Sequence, residues 1–339
     1  MAELRYGGAG RLLFTKEMKR EYTILMPQML PVHFAMMKRS LEMDGYKVEM
    51  LTTTHRAIVD TGLKYVHNDT CYPALLVIGQ LIEAVESGRW DPHKIALIIT
   101  QTGGGCRASN YIHLLRRALR RAGLEYIPVI SLNLSGLDKN PGFRLGLRLL
   151  VRFIFSMVYG DLIVLLANQC RPYEMNSGDT DAMIEKWETD LLGQFRHFRN
   201  FSNGRFRKNL AAIAADFASI PLFGRRKVRV GVVGEIYVKY APLGNNNLEK
   251  FLLDEDCEPV VPGLMDFIIF KINNRAADVD LYGGSRIKRF LALKFQKYIE
   301  NRQRDLITAV KKHPKFRAPG TFEELRGRVG KYLGPGNKM

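Results

Sequence analysis

The strongest constraint on this chain is an alternation in its first half. Short apolar runs take turns with longer segments whose apolar residues recur at helical spacing. Four runs read as strands: Tyr22–Pro27 (YTILMP), Tyr46–Leu51 (YKVEML), Lys94–Gln101 (KIALIITQ) and Ile127–Leu132 (IPVISL). Between them, Val32–Met43, Tyr72–Ser87 and Ala108–Ala122 read as helices. Strands separated by helices pair in parallel, because the crossover returns each strand to the same edge. Gly45, Gly88 and Gly123 stand where left-handed caps would close the three helices.

The expected fold class is therefore α/β, with two Rossmann-like parallel-sheet lobes and a helical insertion. The first lobe is placed at 20–136 and the insertion at 137–224, where no segment reads as a strand. Within the insertion, Ser177–Asp181 carries the capping residues of a helix start. The second lobe, 225–315, reads as a strand Val228–Ile236, a helix Leu248–Asp254 and a strand Pro259–Leu264. Helices are expected over Ser285–Lys312 and Thr321–Leu333, the latter in a basic tail, 316–339.

Composition narrows the function classes. An apolar share of 46% against 25% charged residues is that of a globular chain and excludes a disordered one. Four cysteines in 339 residues are too few for a disulfide-stapled secreted scaffold. The first 28 residues contain no uninterrupted apolar stretch of the secretory type, so a cytoplasmic location is expected. Leu145–Asn168 is the one candidate membrane span. Arg148, Arg152 and the pair Gly160-Asp161 divide it into two short apolar runs, and no membrane span is expected.

Lys and Arg outnumber Asp and Glu by 51 to 34, a net charge of +17. Arg116, Arg117, Arg120 and Arg121 lie along one helix, and Arg225-Arg226-Lys227 forms a second patch. Neither patch has the interleaved aromatics of a base-stacking surface, so nucleic acid ranks below an acidic partner or a phosphorylated small molecule.

Two cysteines share a local setting. Cys71 lies in HNDTCYP, where Asn68, Asp69 and Thr70 are good caps and Pro73 suits a first turn. Cys106 follows Gly103, Gly104 and Gly105 in TQTGGGCR and also opens a helix, with Arg107 beside it. Helix N-termini present free N–H groups that favour a thiolate. In an open α/β sheet such junctions converge at the carboxyl ends of the strands, so two thiols 35 positions apart are expected to face one crevice. No short Cys pair of the zinc-site type exists, and widely spaced thiolates suit an iron–sulfur cluster better. The glycines would permit a tight turn, bind phosphate or donate N–H groups to cluster sulfur; they match neither a Walker A loop nor a dinucleotide fingerprint.

The segments TCYPALLVIGQ, TQTGGGCRASNYIHLLRRAL, VGVVGEIYVKYAPLGNNNLEKFL and CEPVVPGLMDF resemble the component D family of 2-hydroxyacyl-CoA dehydratases. Within it they are similar to a branch related to the C-terminal part of large acyl-CoA dehydratase activase-related proteins. The resemblance spans about 20–310. It implies an iron–sulfur cluster, of 4Fe–4S or double-cubane type. It also implies an ATP-dependent activase as electron donor, a homologous subunit, and an acyl-CoA or other small substrate to be reduced or dehydrated.

Carried over, Cys71 and Cys106 become metal ligands. The family's third cysteine follows a strand in the second lobe, where this chain reads Val261-Pro262-Gly263-Leu264-Met265. Cys257 is the nearest substitute, with Cys170 or a partner's residue as the alternatives. Glu235, placed at the carboxyl end of a strand, is read as an acid/base candidate or a buried anchor. His67 and His113 lack partners at metal-ligand spacing and are assigned structural roles. The alternative function is a non-catalytic subunit or scaffold pairing with a cluster-bearing homologue.

Overall fold

A computed structural model describes residues 3–102, 106–133 and 138–332. The first half runs α1 (Lys16–Glu21), β1 (Thr23–Pro27), α2 (Pro31–Met43), β2 (Lys47–Leu51), α3 (Ala57–Tyr65), α4 (Tyr72–Glu86), β3 (Ile95–Thr100), α5 (Tyr111–Arg121) and β4 (Val129–Leu132). The second half adds α6 (Leu147–Cys170), α7 (Asp179–Phe195), α8 (Asn203–Ser219), β5 (Val228–Gly231), α9 (Ile236–Tyr240), α10 (Pro242–Asn245), α11 (Leu248–Asp254) and β6 (Cys257–Val260). Three helices follow: α12 (Leu264–Tyr282), α13 (Arg286–Lys311) and α14 (Phe322–Val329). The chain divides into two compact units, one of Met1–Leu150 with Gly234–Leu248, the other of Val151–Val233 with Glu249–Met339. The fold is α/β with parallel sheets and a large helical part, as the sequence pattern requires.

In the first unit the four strands are all parallel in the order β2-β1-β3-β4, with Thr23 level with both Lys47 and Ile95. The first five residues of β3 are buried, as a central strand covered on both faces should be. The chain runs from β1 outward to β2 on one side, then crosses back past β1 to β3 on the other. The carboxyl ends of β1 and β3 thus flank the point where such sheets open a crevice. Gly45, Gly88 and Gly123 have φ of 84°, 70° and 71°, the left-handed closure their positions demand.

One helix of this unit, α3, is not legible in the sequence, and it seats α4. A Cβ on Gly79 would fall 2.2 Å from the Ile58 carbonyl oxygen, and one on Gly62 would fall 2.5 Å from that of Leu75. The two glycines let the helix backbones touch. This close crossing presses the apolar body of α4, Leu75 to Val85, into the core with Ile58 and β3.

In the second unit the apolar segment forms one continuous helix, α6, not two short runs. Gly160-Asp161 does not break it. The Asp161 carboxylate accepts from the backbone N–H of Leu264 at 2.7 Å and Met265 at 2.9 Å, capping α12. A charge inside an apolar helix is thereby satisfied by protein, and Gly263 supplies the room, since a Cβ there would lie 2.7 Å from Asp161 Oδ2. By length and composition α6 could cross a membrane, yet 67% of its most apolar window is buried within the protein. Phe155, Tyr159, Phe195 and Phe206 build the aromatic core around it.

The second parallel pair is smaller than expected. β5 and β6 form a two-stranded sheet with Val228 level with Cys257. The strand expected over Val228–Ile236 ends at Gly231, and Glu235 instead caps α9. The strand expected over Pro259–Leu264 lies earlier, at Cys257–Val260, and Leu264 opens α12. Pro259 is tolerated inside β6 because the sheet has only two strands, which leaves an edge that needs no donor there.

Candidate functional site

The first unit holds three of the sequence-nominated residues, Cys71, Cys106 and Glu235, around the start of α5. Cys71 is the N-cap residue of α4, with Pro73 in the first turn as expected. Asn68, Asp69 and Thr70 do not cap that helix by side chain; the Cys71 carbonyl takes the Ala74 N–H at 2.9 Å. Cys106 follows β3 and caps a single 3-10 turn, Arg107–Ser109, that leads into α5. Its carbonyl accepts from the Ser109 N–H at 3.0 Å and the Ser109 hydroxyl at 2.7 Å, and its sulfur accepts from the Ala108 N–H at 3.5 Å. Both thiols are half-buried.

Tyr111, the first residue of α5, joins them. Its hydroxyl lies 2.8 Å from Cys71 Sγ. Burial pushes the phenol far above its ordinary pKa, and the hydrogen bond and charge of Cys71 push the same way. The charges of Glu235 and Cys106 act on the same phenol. Cys71 hydrogen-bonds this hydroxyl, whereas Cys106 and Glu235 act on it through charge alone. Either the phenol or the thiol can be the donor in this bond.

Glu235 reaches this neighbourhood because Gly234–Leu248 belongs to the first unit, where Tyr237, Ala241 and Leu243 enter the core around α4. It does not end a strand. One oxygen accepts from the N–H groups of Tyr237 at 2.8 Å and Val238 at 3.0 Å, the anchor among its two expected roles. The buried Tyr237 hydroxyl has no hydrogen-bond partner among the described residues. Burial raises its pKa, and the charges of Tyr72 and Glu235 add to that.

Gln101 is a further residue that sequence reasoning missed. Buried at the end of β3, it donates from Nε2 to the Ser109 carbonyl at 3.1 Å and accepts from the Ser131 hydroxyl at 2.9 Å. It ties the Cys106 turn to the ends of β3 and β4. The signal was available, since a polar residue closing an all-apolar strand must find partners at the sheet edge.

Gly103, Gly104 and Gly105 are outside the described residues, and Arg107 is exposed. Cys257 is in the second unit, the first residue of β6 and so at its amino end, with Sγ 3.4 Å from the Glu255 carbonyl. Cys170, also in the second unit, is fully buried, and burial pushes its thiol up to about 12. His67 is exposed, its Nδ1 taking the Asp69 N–H at 3.2 Å. Among the described residues no three His, Cys, Asp or Glu side chains gather at metal-ligand spacing.

The arginine-rich helix is only partly a solvated face. Arg116 pairs with the buried Asp138 at 2.6 Å, and Asp138 also holds Arg11. Burial, then the charge of Arg11, pushes Arg116 down to about 10. In the second patch, Lys227 lies 2.6 Å and Arg225 3.4 Å from Asp256.

Comparison of the chain with protein-family models, with curated proteins and with solved structures returns no match.

For an iron–sulfur cluster the donor set fits in part. Cys71 and Cys106 are soft ligands at a polar sheet edge, which suits cluster thiolates. They make up half of a four-cysteine set, and the first unit holds no other cysteine. The unit does not fill a cluster's coordination by itself.

Proposed function

We propose that this chain is the thiolate-bearing component of an iron–sulfur redox system of the 2-hydroxyacyl-CoA dehydratase type. It works in the cytoplasm, with an ATP-dependent activase as electron donor and a homologous subunit as partner. Its substrate is an acyl-CoA or another small molecule, to be reduced or dehydrated. The observation that carries this reading is Cys71 at the start of α4, 2.8 Å from the hydroxyl of Tyr111, the first residue of the helix that the Cys106 turn leads into. The sequence resemblance supplies the reaction class, and the fold alone does not.

In this reading Cys71 and Cys106 hold one side of the cluster, which would supply single electrons at low potential. The ligands they lack in the first unit come from the partner. Tyr111 donates to the Cys71 sulfur, and such a bond tunes a metal–thiolate site. Gln101 fixes the turn that aims Cys106.

The shortage of thiols in the first unit favours a second reading: a scaffold that supports a cluster-bearing homologue. Iron and acid-labile sulfide per chain, after strictly anaerobic purification, separate the two. The first reading expects both in stoichiometric amount in the wild type and neither in a Cys71→Ala/Cys106→Ala variant that remains folded. Iron-free, folded wild-type protein from cells that assemble clusters would overturn it in favour of the scaffold.

A further inference from the structure

The far end of the second unit carries a surface that the redox reading does not use. Helices α12 and α13 form an antiparallel pair joined at Gly283-Gly284-Ser285. The buried residues of α12 stop at Ala276, and those of α13 begin only at Gln296. Around the turn, large apolar side chains stand in solvent. Tyr282 is 81% exposed, Ile287 73%, Phe290 58% and Leu291 59%.

These positions are not scattered. Ile287, Phe290, Leu291 and the partly exposed Tyr298 fall at i, i+3, i+4 and i+11, one face of α13. That face is distinct from the one that supplies Gln296 and Ile299 to the interior. An exposed apolar stripe of this kind marks an interaction surface.

Charge decides what it meets. Arg286, Lys288, Arg289, Lys294 and Lys297 surround the stripe, and no acidic residue occurs between Gly283 and Ile299. Asp280 is paired with Arg289 at 2.8 Å. Lys294 lies along the apolar face itself, its ammonium 5.3 Å from the Phe290 ring centre. A second copy of the chain would set cation against cation, so the occupant is anionic. A nucleic acid would be served by the cations alone and would leave the stripe in water. A lipid interface uses both, because acyl chains take the apolar side chains while long basic side chains reach the headgroups.

We propose that the closed end of the α12–α13 pair is a peripheral docking surface for an anionic phospholipid membrane. Ile287, Phe290 and Leu291 form the inserting wedge, and the flanking cations engage the headgroups. This surface attaches the protein without spanning the bilayer, and it stands or falls independently of the redox reading.

The test is cosedimentation of the full chain with phosphatidylcholine vesicles, with or without about a third of phosphatidylglycerol. Binding to the anionic vesicles alone, weakening as salt is raised, is expected. A Phe290→Ser/Leu291→Ser variant keeps the net charge and should lose on the order of tenfold in partitioning, with unchanged circular dichroism. An Arg225→Glu/Arg226→Glu variant, altered at the other basic patch, should bind within about twofold of the wild type. Equal binding of the serine variant would overturn the wedge. So would failure to bind vesicles together with retention on polyglutamate, which would mark an acidic protein site. Dimerisation that the serine variant abolishes would likewise reassign the face to a second copy.

Discussion

The two units use parallel strands and following helices to opposite ends. In the first, the carboxyl edge of the sheet stays chemically open: two half-buried thiols sit at helix starts, and a buried tyrosine contacts one of them. In the second, polar groups are consumed internally. Glu258 on β6 is 1% exposed and is held by Arg229 at 3.1 Å, by Arg317, and by the Tyr173 hydroxyl at 2.8 Å. The cysteines follow the same division. Cys170 is sealed beneath Phe217, and Cys257 stands at the amino end of its strand. A sheet edge becomes a candidate site where its polar groups face outward, and a structural joint where they pair with each other.

The most damaging change to this contrast would be Gly79→Val. Its Cβ would enter the Ile58 carbonyl, so the helix carrying Cys71 must shift. The expected loss is about 3 kcal/mol or more of unfolding free energy in urea. A near-neutral result would mean that α3 does not seat α4.

Glu258→Ala tests the closed edge of the second unit. It strands two arginines, though both are about half exposed, so the cost is set at about 2 kcal/mol rather than the larger value of a fully buried pair. A double-mutant cycle with Arg317→Ala should then show coupling. Additive losses would remove Glu258 as the joint.

The smallest effect depends on pH. The Cys170 thiol, near 9 when unfolded, is pushed up to about 12 in the native state, so folding favours its protonated form. The stability this contributes is complete below pH 9 and is lost as pH rises from 9 toward 12. The wild type should therefore lose up to about 1.4 kcal/mol per pH unit more than Cys170→Ser between pH 9 and 10.5, read from urea midpoints. Parallel curves for the two proteins would show Cys170 to be solvated.

Much of the open edge was legible in the sequence because it rests on local rules. Apolar runs located all four strands, positive-φ glycines marked the helix ends, and turn chemistry placed both cysteines at helix starts. What escaped depends on distant partners. Gly62 and Gly79 are 17 positions apart, and only their contact explains either. Asp161 reads as a break in an apolar helix until the start of α12, 103 positions on, is found to need a cap. Tyr111 passes for one more apolar helix position until Cys71 lies against its hydroxyl. Glu235 reads as a strand end because five apolar or glycine residues precede it, whereas its carboxylate starts a helix that joins the first unit.

The central claim is that Cys71 and Cys106 make one site. The most direct test uses a trivalent arsenical, which bridges two neighbouring thiols, on the reduced protein, followed by alkylation and peptide mapping. The account predicts one arsenical per chain, with Cys71 and Cys106 protected together in the wild type and Cys106 alkylated in Cys71→Ala. Independent alkylation of the two cysteines in the arsenical-treated wild type would contradict it.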